Sequence, residues 1–324
     1  MIRVEHMSKS YGTFPAVIDV SFEVLKGDIV GFLGPNGAGK TTTMRVLTGF
    51  TPPTEGTATV AGFDVVSHSL DVRRHIGYLP ETVPLYLDMT VSDYLTYMGR
   101  LRGMNPAWVR ERLPKVIEMV RLGDYRDTLV AKLSKGFRQR TGIAQAILHE
   151  PDVLILDEPT IGIDPVQVVE TRELIKELGQ DHTLLLSSHI LPEVSMICKR
   201  VLVIHDGRIV ADDTPAHLSD RLQHTERIEL AVRGAQARDV IGILRGMQGV
   251  VDARTDARTD LQPKADTGRV AFLVDAKPNM GTPERIAQAV VGKGWGLVSL
   301  HPLPMTLEEI FLELTTEEQT VSQP

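Results

Sequence analysis

The chain has 324 residues, 42% of them hydrophobic and 24% charged, and a formal net charge of −7. That is apolar material for about two folded domains, and the acidic balance excludes a globally basic nucleic-acid binder. One cysteine, Cys198, excludes an internal disulfide and fits a reducing cytoplasm, and no apolar stretch approaches the ~18 residues of a membrane span.

The first residues read as a strand rather than a signal peptide, and residues 2–7 and 16–25 read as two strands. In the second, Val20, Phe22 and Val24 alternate with polar neighbours, as in a half-buried antiparallel sheet. Tyr11 is expected in the loop between them, where an exposed aromatic either stacks on a purine base or is a plain turn residue.

The apolar run 29–33 reads as a buried strand. Gly34-Pro35-Asn36-Gly37-Ala38-Gly39-Lys40-Thr41 follows and fits the P-loop pattern G-x-x-x-x-G-K-[ST]. Thr42 and the residues after it read as the opening of a helix. The glycines let backbone N–H groups approach phosphate oxygens, and the helix N-terminus adds partial positive charge at the same spot. Lys40 can reach the β- and γ-phosphates of a nucleoside triphosphate, and the Thr41 hydroxyl can ligate Mg²⁺. A glycine-rich turn with a chance lysine would lack the flanking strand and helix.

Residues 51–56 form a dense turn cluster, 57–62 read as an antiparallel strand, and 76–81 as a short strand broken by Pro80. From 89 to 150 the pattern is helical: Val91, Tyr94, Leu95 and Met98 recur at helix spacing, as do Leu113, Val116, Ile117 and Val120. The basic residues scattered among them read as a solvated face, so no nucleic-acid partner is expected. Two continuous apolar runs, 153–156 and 183–187, suit strands buried in a parallel sheet, with a crossover helix over 165–179 between them. Residues 201–204 and 209–210 read as a hairpin around Asp206-Gly207.

The first domain is expected to end near 220. Beyond it the order is β-α-β-β-α-β over 227–301, the ferredoxin-like pattern, then a short amphipathic helix from 306 and a loose tail over 316–324. The expected fold class is therefore α/β: a P-loop domain over 1–220 and an accessory α/β domain over 221–315.

Asp157 ends the first buried run, where a Walker-B carboxylate holds Mg²⁺. Glu158 follows, and adjacent residues at a strand end point in different directions, so it is placed to polarise an attacking water. The competing reading of Asp157-Glu158-Pro159 is a strand-end turn.

Here the sequence resembles the ATP-binding subunit of ABC transporters, over roughly residues 1–220. Leu133-Ser134-Lys135-Gly136-Phe137 looks like that family's signature motif, Asp164 falls in the D-loop, His189 at the switch histidine, Glu81 at the Q-loop and Tyr11 at the base-stacking aromatic. The stretch 77–91 is similar to the ABC-2 export branch, including its gliding-motility type, and the C-terminal extension resembles one that such subunits carry. The sequence departs from the pattern at three places: Glu81 stands for Gln, Lys135 for the first signature Gly, and Phe137 for the signature Gln.

The resemblance implies an ATPase with ATP and Mg²⁺ as cofactors. It implies a homodimer that sandwiches two ATP molecules, with Ser134 and Gly136 acting in trans on the γ-phosphate. It implies an integral-membrane ABC-2-type permease partner docked near residues 78–100, and so a cytoplasmic subunit peripheral on the inner face of the membrane. The alternatives are a soluble ABC ATPase acting on ribosome or DNA, disfavoured by a single P-loop and no long heptad run, and a nucleotide-gated regulatory module.

Overall fold

β1 (Ile2–Tyr11) and β2 (Phe14–Val24) pair antiparallel, with Ile2 opposite Val24 and Tyr11 opposite Phe14. Tyr11 is thus the last residue of a strand rather than a loop residue. Its backbone stays extended because the tight turn at Gly12 (φ 60) begins only after it. β3 (Ile29–Leu33) leads through the glycine-rich loop into α1 (Lys40–Leu47). The helix opens two residues earlier than Thr42, with Gly39 as its N-cap.

β4 (Glu55–Val60) and β5 (Phe63–Asp64) complete a four-stranded antiparallel sheet in the order β2-β1-β4-β5. α2 (Ser69–His75) and β6 (Ile76–Leu79) follow. The expected helical region resolves into α3 (Val91–Leu101), α4 (Pro106–Met119) and α5 (Lys135–Ile147). Each opens on a residue whose side-chain oxygen accepts from a backbone N–H: Thr90 from Asp93, Asn105 from Trp108 and Ser134 from Phe137. Such caps satisfy donors that the first helical turn leaves free.

Then come β7 (Val153–Leu156), α6 (Pro165–Asp181), β8 (Thr183–Ser188), α7 (Leu191–Ile197), β9 (Arg200–His205) and β10 (Arg208–Asp213). The six-stranded sheet runs β10-β9-β3-β8-β7-β6, parallel except for β10. All four β7 residues are buried, as both faces of a covered parallel sheet require. The β9–β10 turn has φ 45 at Asp206 and φ 76 at Gly207, the paired positive angles of a type I′ hairpin. Between the two sheets lies a core that includes Val4, Met7, Phe22, Phe32, Met44 and Leu47, with Phe22 and Phe32 5.7 Å apart. Each such side chain contributes roughly 1.5–3 kcal/mol by leaving water.

The structure describes residues 1–221, 226–255, 269–277 and 280–303. The chain divides into two units, Met1–Pro215 and Ala216–Pro324. α8 (Pro215–Arg221) opens the second. There β11 (Glu226–Arg233), α9 (Ala237–Arg245), β12 (Val250–Thr255), β13 (Arg269–Ala276), α10 (Thr282–Gly292) and β14 (Gly296–Leu303) build an antiparallel sheet in the order β12-β13-β11-β14. That is the split-βαβ arrangement. Its core holds Ile228, Leu230 and Phe272 against Val240 and Leu244 of α9 and Ile286 of α10. The helix expected from 306 and the tail over 316–324 lie outside the described residues.

Candidate active site

β3 sits at the centre of the parallel sheet, between β9 and β8, so its C-terminal end opens onto the edge where such sheets take ligands. A Cβ on Gly34 would stand 2.4 Å from the Ile204 carbonyl oxygen. A Cβ on Gly39 would stand 2.6 Å from the Ala16 carbonyl oxygen, and φ there is 108. Gly37 also has positive φ, 84, but faces open space. Two glycines are therefore demanded by packing and one by backbone conformation. Ala38 is buried, Asn36 exposed, and Pro35, Thr41 and Thr42 lie in between. The Gly207 N–H donates to the Ala38 carbonyl at 3.0 Å, tying the loop to the β9–β10 turn.

Lys40 folds back into this loop. Its Nζ donates to the Gly34 carbonyl at 2.7 Å and the Pro35 carbonyl at 3.1 Å, and stands 3.4 Å from Glu158 Oε1. Both side chains of that ion pair are only 6% exposed, so each ion is costly without the other.

β7 delivers Asp157 and Glu158 to the same edge. The Asp157 N–H donates to the Leu79 carbonyl of β6 at 2.8 Å. Glu158 then turns left-handed, with φ 49, which swings its side chain toward Lys40 and His189. Glu158 Oε2 lies 2.9 Å from His189 Nδ1. Asp157 is fully buried; Oδ1 accepts from the Ser187 hydroxyl at 2.6 Å, and Oδ2 has no hydrogen-bond partner among the described residues. The Ser187 oxygen in turn accepts from the Glu158 N–H at 2.9 Å. Burial first, and then Asp157, push the Tyr78 phenol beside this edge up to about 12, so it stays protonated.

Ser187 did not stand out in the sequence. The available signal was its place at the end of the second buried run, two residues before His189. Because β8 separates β3 from β7, the end of β8 has to lie between Lys40 and Asp157.

The structure thus brings Gly34 through Thr42, Asp157, Glu158 and His189 into one constellation. Ser134, Gly136 and Asp164 form a second group at the N-termini of α5 and α6. The Ser134 oxygens accept from Phe137 and Arg138, and Asp164 accepts from Gln167 and Val168, so these hydrogen bonds stay within their own helices. A Cβ on Gly136 would overlap the Gln167 side chain, which ties the two helix starts together. Phe137 packs its ring 4.1 Å from that of Tyr125, so the departure at this position fills a hydrophobic contact. Tyr11 is exposed at the end of β1, with the Lys9 ammonium 5.3 Å over its ring. Glu81 is exposed, just beyond β6 on the Asp157 side of the sheet.

The description of one family, ABC transporter, matches residues 17–161. The Nod factor export ATP-binding protein I of Ralstonia nicotianae is 35% identical over 98% of this chain and 94% of its own. The chain belongs to the ABC transporter ATP-binding family. The linearmycin resistance ATP-binding protein LnrL of Bacillus subtilis is 30% identical over 97% of this chain and 98% of its own. The fold matches, at 21% identity and a TM-score of 0.61, a dimeric ATP-binding cassette in a post-hydrolysis state bound to ADP and Pi, over 66% of this chain and 99% of that one. This ABC protein is an ATP-binding, ATP-hydrolysing subunit of a membrane transport system.

Proposed function

We propose that the chain works as a homodimer that closes on two ATP molecules and drives export through a separate ABC-2-type permease. The observation that carries this reading is Glu158, held between Lys40 and His189 at the mouth of the P-loop.

Hydrolysis adds water to the γ-phosphorus and breaks its bond to the β–γ bridging oxygen, giving ADP and inorganic phosphate. Phosphate oxygens displace Glu158 as the counter-ion of Lys40. Glu158 Oε1, which has no hydrogen bond among the described residues, is then free to take the proton of the attacking water. His189 donates from Nδ1 to Oε2 and fixes the carboxylate's direction. The N–H groups of the 34–42 segment bind the phosphates. Ser134 and Gly136 meet the terminal phosphate held by the second copy, and Tyr11 stacks on the base.

The orphan Asp157 Oδ2, buried at the strand end, fits a cation ligand. Asp157 and the Thr41 hydroxyl would hold Mg²⁺, with Glu81 reaching it through water. A Mg²⁺ ion held by one or two protein groups takes its remaining ligands from phosphates and water. When bound, Mg²⁺ neutralises charge on the β- and γ-phosphates.

No helix among the described residues is long and apolar enough to cross a membrane. The docking region expected over 78–100 is flanked by a cleft of about 650 Å³, lined from residues 70–74 and 101–108, to which we assign the membrane partner. Leu70, Leu101 and Trp108 offer it exposed apolar surface, and Arg73 and Arg102 line it with positive charge. The Arg102 guanidinium donates to the Arg73 and Ile76 carbonyls, and burial, then Arg73, hold it below its ordinary value. Docked there, the subunit is peripheral on the cytoplasmic face.

The test is Glu158→Gln, tagged and purified from mildly solubilised membranes with Mg-ATP. A polytopic membrane protein recovered in fixed stoichiometry supports the reading. Ribosomes, or soluble proteins alone, would overturn it in favour of a soluble ABC ATPase.

A further inference from the structure

The sheet of the second unit has two faces. Ile228, Leu230, Phe272 and Val274 pack with residues of α9 and α10 on one of them. Side chains alternate along a strand, so Arg227, Glu229, Ala231 and Arg233 of β11 lie on the other face. There Glu229 stands opposite Leu273 of β13, and Ala231 opposite Ala271. A face open to water leaves such residues accessible, yet Ala231 is 0% exposed, Ala271 3% and Leu273 8%. The two helices that pack on the first face do not supply this cover.

The same face carries an unmet positive charge. At one end Asp275 accepts from Arg227 at 2.7 Å and from Arg254 at 3.0 Å. At the other end Arg233 lies directly opposite Arg269, and neither has an ion pair among the described residues. Like charges in that position weaken a sheet unless an anion joins them.

The chain itself holds the complement. β14 is the edge strand beside β11 and ends at Leu303, opposite Arg227. Beyond it Leu307, Ile310, Phe311 and Leu314 recur at helix spacing and make one apolar stripe. Residues 304–324 contain five glutamates and no lysine or arginine. Ten residues of helix, 306–315, are about 15 Å long at ~1.5 Å per residue. The face from Arg227 to Arg233 is about 20 Å long at ~3.3 Å per residue. A helix that starts at the Arg227 end therefore delivers Glu317 and Glu318 to the Arg233–Arg269 end. The stretch 256–268, also outside the described residues, is polar and has no such stripe.

We propose that this face is a docking surface whose occupant is the chain's own segment 306–318, with its apolar stripe on Ala231, Ala271 and Leu273 and its glutamates among the arginines. The inference stands on the second unit alone and is independent of the ATP-sandwich reading. Seated, the segment closes an arginine-lined apolar surface that would otherwise be open to a second copy.

The test places the photo-crosslinking residue p-benzoylphenylalanine at position 311 of the full chain, without nucleotide, and maps the products by mass spectrometry. Crosslinks within one chain to residues 229–231 or 271–273 are expected. Crosslinks between two chains, crosslinks to residues 1–215, or none at all would overturn the proposal. A second variant, Arg233→Gln with Arg269→Gln, tests the charge match at two exposed positions. Thermolysin cleavage before Ile310 and Phe311 tracks the fraction of chains with the segment released. The double variant should be cleaved there about tenfold faster, the size of two exposed ion pairs, and added salt should speed cleavage of the parent. Were the two arginines only a repelling pair, their replacement would leave cleavage at the parent rate, and that result would also overturn the proposal.

Discussion

His189 Nδ1 lies 2.9 Å from Glu158 Oε2, and Glu158 is itself nearly sealed from solvent. In the proposed mechanism the imidazole donates to the carboxylate that receives the proton of the attacking water, so it sets direction rather than acting as base. Glu158→Gln should therefore lower turnover about 10²–10⁴-fold while ATP binding is retained. His189→Ala should lower kcat by a smaller factor, roughly 10-fold to 100-fold, with KM little changed. Steady-state phosphate release measures both, and a His189→Ala enzyme with full kcat would remove the residue from the mechanism.

The Lys40–Glu158 pair predicts non-additive stability. Lys40→Met leaves the buried Glu158 carboxylate without its cation, with the His189 N–H still in place, and should cost roughly 3 kcal/mol in urea unfolding without nucleotide. Adding Glu158→Gln removes the stranded charge and should recover most of that loss. Equal destabilisation of the single and double variants would mean the pair is not coupled in the folded chain.

Gly37 and Gly39 separate two demands on one loop. Gly37→Ala meets open space and pays only for its left-handed backbone, about 1 kcal/mol. Gly39→Ala also drives a methyl into the Ala16 carbonyl, so it should lower the melting temperature and ATP affinity far more. Thermal unfolding with and without ATP ranks the two; the reverse ranking would contradict the loop geometry.

His149 should make the fold acid-sensitive. Its Nε2 donates to the Ile76 carbonyl at 3.1 Å, and its buried Nδ1 has no acceptor among the described residues for the N–H that a second proton would create. Burial, followed by the charge on Arg102, pushes the imidazole down from 6.5 to about 4. The folded value lies below the unfolded one, so this contribution is complete above about pH 6.5 and is lost as pH falls toward 4. Between about pH 7.5 and pH 5 it amounts to ~2 kcal/mol. His149→Gln keeps a donor and should flatten the fall in urea midpoint over that interval. An unchanged slope would show that His149 carries none of it.

The strand, loop and helix around Gly34–Thr41 were legible because glycine spacing and an apolar run are local signals. Asp157-Glu158 was legible for the same reason, as was the Asp206-Gly207 turn. α2 was not: Val72 is its one fully buried residue, so it has no apolar stripe to read. α7 has only Val194 and Ile197 buried and places a proline in its first turn. Ser187 acquires its role from β8 lying between β3 and β7, a sheet order that no local pattern encodes. The contact of the Lys135 ammonium with Gly162 likewise joins segments far apart in sequence.

The central claim is that ATP closes two copies of this chain on one another. The most direct measurement is the sedimentation of Glu158→Gln with Mg-ATP, with Mg-ADP and without nucleotide. The account predicts a dimer carrying two ATP molecules in the first case and monomers in the other two. A monomer at saturating Mg-ATP, or a dimer indifferent to nucleotide, would contradict it.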